Sequence, residues 1–164
     1  MRGQSGDAEQ GQSRRALTLL EPKAAVSGRA QARSWHPAQG SRRTVVHLSG
    51  EPETRVVLGR VARRWPTVRF EAADSAATGV RLVNERRPDL VVLDAVLRDA
   101  DGEAMVRTLR AGDRCDFPIL VLGNDPGPRE RARFAWAGAT AYVSRPLHVA
   151  ELDRIVRILL EASA

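Results

Sequence analysis

Cysteine occurs once, at Cys115, so no disulfide can form within the chain. A lone thiol acting as a nucleophile needs a poised base, and none is near it in sequence. Cys115 therefore reads as an incidental or buried thiol, and a reducing cytoplasm fits that usage. Lysine is also nearly missing: apart from Lys23, every Lys/Arg position is arginine. Aromatic residues make up 4%, with Tyr142 the one tyrosine. No apolar run approaches the roughly 20 residues that a membrane helix needs. Ser13-Arg14-Arg15 before Ala16-Leu17-Thr18-Leu19-Leu20 has the outline of a twin-arginine export signal. Glu21, Pro22 and Lys23 break that apolar stretch too soon for one.

The rest of the composition is ordinary for a globular chain, with 43% hydrophobic and 28% charged residues. Disorder along the whole length is excluded, and about 120 residues suffice to bury one core. The formal charge of +6 is uneven. Residues 1–43 hold 8 Lys/Arg and 3 Asp/Glu, and residues 44–164 hold 18 and 17. The basic character belongs to the first segment, which is rich in Gly, Ser, Gln, Ala and Arg and has no sustained period. The expectation is a disordered tail over 1–43, with a transient turn of helix at Leu17–Leu20, followed by one domain over 44–164.

From Thr44 the texture changes. Thr44–Leu48 is a β-branched run that reads as a buried strand. Thr67–Glu71 alternates as an edge strand does. Leu90–Leu93 is wholly apolar and stops at Asp94. Pro118–Leu122 and Thr140–Ser144 complete five strands. Helices are expected over 53–65, 75–87, 103–111, 129–136 and 149–162, with Ser75 as an N-cap and Gly138 as a stop signal. The last helix repeats Val149, Leu152, Ile155, Val156, Leu159 and Leu160 as one apolar stripe. Alternating apolar strands and helices give a doubly wound parallel α/β sheet, and the flavodoxin-like (βα)5 order 2-1-3-4-5 is the common one at this size. Its active crevice lies beyond the carboxyl ends of the strands, where Ser49, Gly50, Glu51, Asp94, Gly123, Ser144 and Arg145 fall. A carboxylate ending a Leu/Val strand is costly unless it emerges into a polar site, which singles out Asp94. A turn residue without chemistry is the other account of it, and position alone does not separate the two.

The stretch RPDLVVLDAVLRDADGEAMVRTLR, with FPILVLG, AGATAYVSRPL and TVVHLSGEPETRVVLGRVARR, resembles the receiver domain of response regulators over nearly all of 44–164. The resemblance implies a signalling module of a two-component phosphorelay, not an enzyme beyond assisting its own phosphorylation, in the manner of CheY-like proteins. It makes Asp94 the phosphoacceptor and implies Mg2+ held by Asp94, the Val96 backbone carbonyl and an acidic pair after the first strand. It implies a hydroxyl residue and an aromatic as switch positions, here Gly123 and Tyr142, and a phosphate-binding lysine, here Arg145. Three departures stand out. The acidic pair is Ser49-Gly50, the hydroxyl position is Gly123, and Arg145 replaces lysine, from which it differs in size and geometry. Glu51 is the remaining nearby carboxylate, and a solvated turn residue pointing away accounts for it. With no hydroxyl at Gly123 to follow a phosphoryl group, the coupling to Tyr142 that the resemblance implies is expected to be broken or rerouted through backbone N–H groups, and a salt bridge to Asp94 accounts equally for Arg145.

Two readings stand. In one, Asp94 is phosphorylated by a histidine kinase or phosphotransfer protein, and the face of the fourth helix, fifth strand and fifth helix changes its downstream partner. In the other, the chain is a pseudo-receiver, a phosphorylation-independent interaction module. His47 reads as a structural histidine, Trp65 and Trp136 as packing residues, and Asp99 and Asp101 as caps. Nucleic-acid binding through the tail has only Trp35 and no motif to support it. A nucleotide or flavin site would want a glycine-rich loop where HLSGEPE stands.

Overall fold

The computed structural model describes residues 18–19, 42–113 and 115–162. Six strands and five helices follow in the order β1 (Thr18–Leu19), β2 (Arg43–Leu48), α1 (Pro52–Ala62), β3 (Val68–Ala73), α2 (Ala76–Arg86), β4 (Leu90–Asp94), α3 (Gly102–Arg110), β5 (Ile119–Gly123), α4 (Pro128–Ala137), β6 (Ala141–Ser144) and α5 (Val149–Ala162). The sheet order is β1-β6-β5-β4-β2-β3. Strands β2 to β6 are all parallel and are the five expected from sequence, in the expected 2-1-3-4-5 arrangement.

The strands at the centre are buried along their whole length. Every residue of β4 and β5 is inaccessible, as their unbroken apolar sequences require of a sheet covered on both faces. Side chains alternate between the two faces. Val46, Val91, Leu93 and Val121 pack against Val83 of α2, Met105, Val106 and Leu109 of α3, and Phe134 of α4. Val45, Leu90, Val92 and Leu120 pack against Leu58 and Val61 of α1 and the stripe Leu152, Ile155, Val156 and Leu159 of α5. The same period of two puts Asp94 on the α1–α5 side.

Local signals end the helices where expected, with two adjustments. Ser75 caps α2 by accepting the Thr78 N–H, and Gly138 closes α4 at φ 107. Helix α1 stops at Ala62, short of Trp65. There the N–H groups of Arg64 and Trp65 bond the carbonyls three residues back, which tightens the last turn. The Trp65 indole N–H is drawn to Asp153 of α5, 2.7 Å away. At the other correction, Thr18–Leu19 do not form a turn of helix. They are extended and pair antiparallel with Tyr142 and Ala141. The remainder of the expected tail lies outside the described residues, apart from Arg42 and Arg43, and Arg43 already belongs to β2.

Asp89, at the entry to β4, is buried and accepts the Thr44 N–H at 2.6 Å, tying the starts of β4 and β2 together. Burial raises its pKa, although the Thr44 N–H and the charge of Arg43 oppose the shift. Folded Asp89 therefore holds its proton more tightly than unfolded Asp89. Its contribution is present below the ordinary aspartate range, about 3.9, and is lost as pH rises through the folded value. The melting-temperature difference between Asp89→Asn and the parent chain should become more favourable to the variant from acid to neutral pH. Paired calorimetric scans across that range check the sign, and a flat difference contradicts it.

Candidate functional site

Four chain reversals meet at the carboxyl rim of the sheet, and Asp94 sits among them at 1% exposure. A carboxylate this deep needs donors. Ser49, directly after β2, points its hydroxyl at Asp94 Oδ2. That hydroxyl also accepts the Glu51 N–H at 3.0 Å and lies 3.1 Å from the Glu51 carbonyl. It has one proton to give, and the charged, nearer carboxylate is the stronger acceptor. Ser49, Gly123 and Arg145 fall where the sequence places them, at the same rim, and Arg145 is fixed by its N–H bond to the Gly123 carbonyl at 2.8 Å.

Arg145 reaches across the rim. One terminal nitrogen of its guanidinium lies 2.7 Å from Thr54 Oγ, 3.0 Å from Glu51 Oε2 and 3.4 Å from Asp94 Oδ1. Two hydrogens on that nitrogen serve three oxygens, so the bond to Asp94 is the weakest of the set. The expectation for Glu51 is corrected here: its side chain turns into the site and pairs with Arg145, because Pro52 starts α1 directly after it and swings the chain back over the rim. Half of Glu51 remains exposed, so this pair alone is worth little, in the range of 0–1 kcal/mol. Thr54 was not singled out by sequence. It is a buried hydroxyl in the first turn of α1, and a threonine one turn into a helix carries no distinguishing pattern.

His47 lies 4.0 Å from Asp94 Oδ1 through its Nε2, is 3% exposed, and has no hydrogen-bond partner on that nitrogen. It lies on β2 beside the site. Val96 bridges to Asp101 in the loop after Asp94. Asp101 caps α3 through the Ala104 N–H, and Asp99 accepts the Ala76 N–H at the start of α2. Asp101 thus caps the helix it precedes, as expected, whereas Asp99 serves the start of α2, a helix earlier in the chain.

Gly123 and Tyr142 form a second unit. The Tyr142 ring is fully buried, leans on Phe134 with centroids 5.7 Å apart, and donates its hydroxyl proton to the Asp125 carbonyl at 2.7 Å. A Cβ on residue 123 would stand 1.9 Å from that hydroxyl. The missing side chain at 123 is the space in which the phenol lies. The Tyr142 hydroxyl thus bonds the Asp125 backbone carbonyl and makes no bond to residue 123. Burial first, then the charges of Glu130 and Asp125, push the Tyr142 pKa up to about 12.

Receiver domains typically bind Mg2+, a hard cation that wants several oxygen ligands, carboxylates included. The donors here do not fit it. Ser49 and Gly50 bring no carboxylate, and the carboxylates of Asp94 and Glu51 face the Arg145 guanidinium. Among the described residues no group of three or more His, Cys, Asp or Glu could hold a metal ion.

The model of the response regulator receiver domain matches residues 50–157. The chain belongs to this family. It is 30% identical over 94 residues to the virulence transcriptional regulatory protein PhoP of Salmonella typhimurium, covering 57% of this chain and 42% of that protein. It is 30% identical over 92 residues to the transcriptional regulatory protein PhoP of Escherichia coli, covering 56% and 41%. The chain thus spans about two-fifths of the length of these relatives. The signal receiver domain of a LuxO repressor protein from Vibrio parahaemolyticus superposes with a TM-score of 0.68 at 15% identity, covering 74% of this chain and 92% of that one. The chemotaxis protein CheY4 of Vibrio cholerae gives 0.66 at 18% identity, covering 71% and 98%. These likenesses carry the fold. The family makes the chain a receiver module of two-component signalling, a class that is generally not enzymatic. The matched stretch begins at Gly50, so Ser49 lies just outside it. No helix among the described residues is long and apolar enough to cross a membrane.

Since Tyr142 is the one tyrosine, its ionisation can be followed by absorbance without ambiguity. The parent chain should titrate near 12. Gly123→Ala should expel the phenol and return the midpoint towards ~10. An unchanged midpoint in a folded variant would show that the phenol does not depend on the gap at residue 123.

Proposed function

We propose that this receiver module engages its partners without Mg2+-assisted phosphorylation of Asp94. The observation that carries this reading is the internal neutralisation of Asp94. One oxygen takes the Ser49 hydroxyl and the other faces Arg145, which Glu51 and Thr54 hold in place. Phosphoryl transfer onto a carboxylate needs an exposed oxygen in line with the donor and a cation to neutralise the transferred group. Here the cation is an arginine already paired, and the oxygens already have donors.

In this reading Asp94, Ser49 and Arg145 act as a structural clasp, and Gly123 and Tyr142 hold the β5–α4 loop in one arrangement. The module runs from β2 to α5, Arg43–Ala162, and Thr18–Leu19 of the segment before it pairs with β6. The partner is a downstream protein that meets the α4–β6–α5 face, in the cytoplasm and without nucleic acid, and a histidine kinase or phosphotransfer protein is the phosphodonor only in the second reading. The second reading keeps Asp94 as phosphoacceptor and Arg145 as the phosphate contact, with Asp94, the Val96 carbonyl and Glu51 as metal ligands. Its support is the placement of Asp94 at the end of β4 within reach of a basic group.

Incubation with acetyl phosphate and Mg2+, read by intact mass beside an ordinary receiver, separates the two. The expected result is no phosphoryl adduct on this chain under conditions that label the control. Asp94→Asn should retain partner binding in a pull-down. An adduct that disappears in Asp94→Asn would overturn the proposal in favour of the second reading.

A further inference from the structure

The sheet ends at β6, and the outer edge of β6 is not left open. Thr18 lies opposite Tyr142 and Leu19 opposite Ala141 in an antiparallel ladder. An edge strand presents unpaired N–H and C=O groups that template the addition of another extended segment. We infer that the β6 edge is a strand-docking surface, and that the chain closes it with its own segment around Thr18–Leu19. The inference does not depend on whether Asp94 is phosphorylated.

Several features of the sequence fit this role. Ala16-Leu17-Thr18-Leu19-Leu20 is an apolar run in a segment otherwise dominated by small and polar residues, so it is the part with side chains suited to a sheet edge. Pro22 follows closely and has no N–H to continue a ladder. The described ladder, Thr18–Leu19, is short, which makes the edge closed but displaceable. A two-residue ladder carries few bonds, each worth only a modest net amount.

Chain length decides which copy supplies the segment. From β2, where the chain enters the sheet, to β1 are four strand spacings, about 19 Å. Residues 20–42 can span up to about 75 Å when extended. The connection is ample, and a tethered segment acts at an effective concentration in the millimolar range, far above that of a second copy in dilute solution. The occupant is thus the segment of the same chain. The position opposite Tyr142 also matters. Tyr142 fixes the loop after β5 through the Asp125 carbonyl, so whatever pairs with its backbone bears on the α4–β6–α5 face.

The test uses the full chain and the Thr18→Pro/Leu19→Pro double variant, with Ala25→Pro as a control beyond the ladder. Hydrogen exchange of the Tyr142 amide, which faces β1 while those of Ala141 and Val143 face β5, is measured at two protein concentrations. Losing the ladder should raise exchange at this amide by about 2- to 10-fold in the double variant, the equivalent of about one net hydrogen bond, and leave the control unchanged. The ultraviolet titration of Tyr142 reports that the variant remains folded. In parallel, a peptide copying residues 13–22 is titrated to millimolar levels against both proteins by NMR. It should shift the β6 amides of the double variant at lower concentration than those of the parent. Equal exchange in variant and parent would overturn the inference, as would equal peptide response. Protection that rises with protein concentration would assign the segment to a second copy and overturn the intramolecular closure.

Discussion

Burying a carboxylate at the end of an apolar strand costs several kcal/mol unless donors replace the lost water, and much of the rim is arranged around supplying them to Asp94. The Ser49 hydroxyl serves one oxygen and the Arg145 guanidinium the other. Because Arg145 reaches Asp94 only at 3.4 Å, it depends on Thr54 and Glu51 to hold its position. Those residues lie on or just before α1, so the clasp ties β2, α1, β4 and β6 into one unit. Arg145 brings the same single positive charge as the lysine it replaces, and no carboxylate stands at Ser49-Gly50 to compete with Asp94 for it. The Ser49 hydroxyl and an arginine long enough to span the rim therefore serve Asp94 directly.

The second unit of the rim follows a steric logic. Tyr142 is buried on Phe134 and bonded to the Asp125 carbonyl because residue 123 has no side chain. Any hydroxyl residue at 123 would occupy the volume of the phenol. The two changes at the rim are thus independent in mechanism, one electrostatic and one steric.

Beyond the rim, salt bridges join α3 to α4: Arg133 meets Asp101, Glu103 and Glu130. The carboxyl of Glu103 is held below its ordinary range by hydrogen bonds from Arg107 and Arg133. These pairs are exposed, and each contributes little to stability. Their number around one arginine still favours a single placement of α4 beside the β5–α4 loop.

The sequence by itself determined the alternation of apolar strands and helices, and with it the parallel sheet, its order and the place of Asp94 at the rim. Those features rest on local period and on the energetic need to bury runs such as Leu90–Leu93 and Ile119–Leu122, both of which are written in consecutive residues. It also marked Ser75 and Gly138, since capping is local chemistry. Only the tertiary structure decided which oxygen each donor serves. Glu51 turned inward, Thr54 joined the clasp, and Tyr142 filled the gap at Gly123, because each contact joins residues far apart in the chain whose distances depend on the packing of α1 and α4. Thr18–Leu19 was likewise decided by a partner strand more than a hundred residues away, since a short apolar run has no conformation of its own until an edge is offered to it.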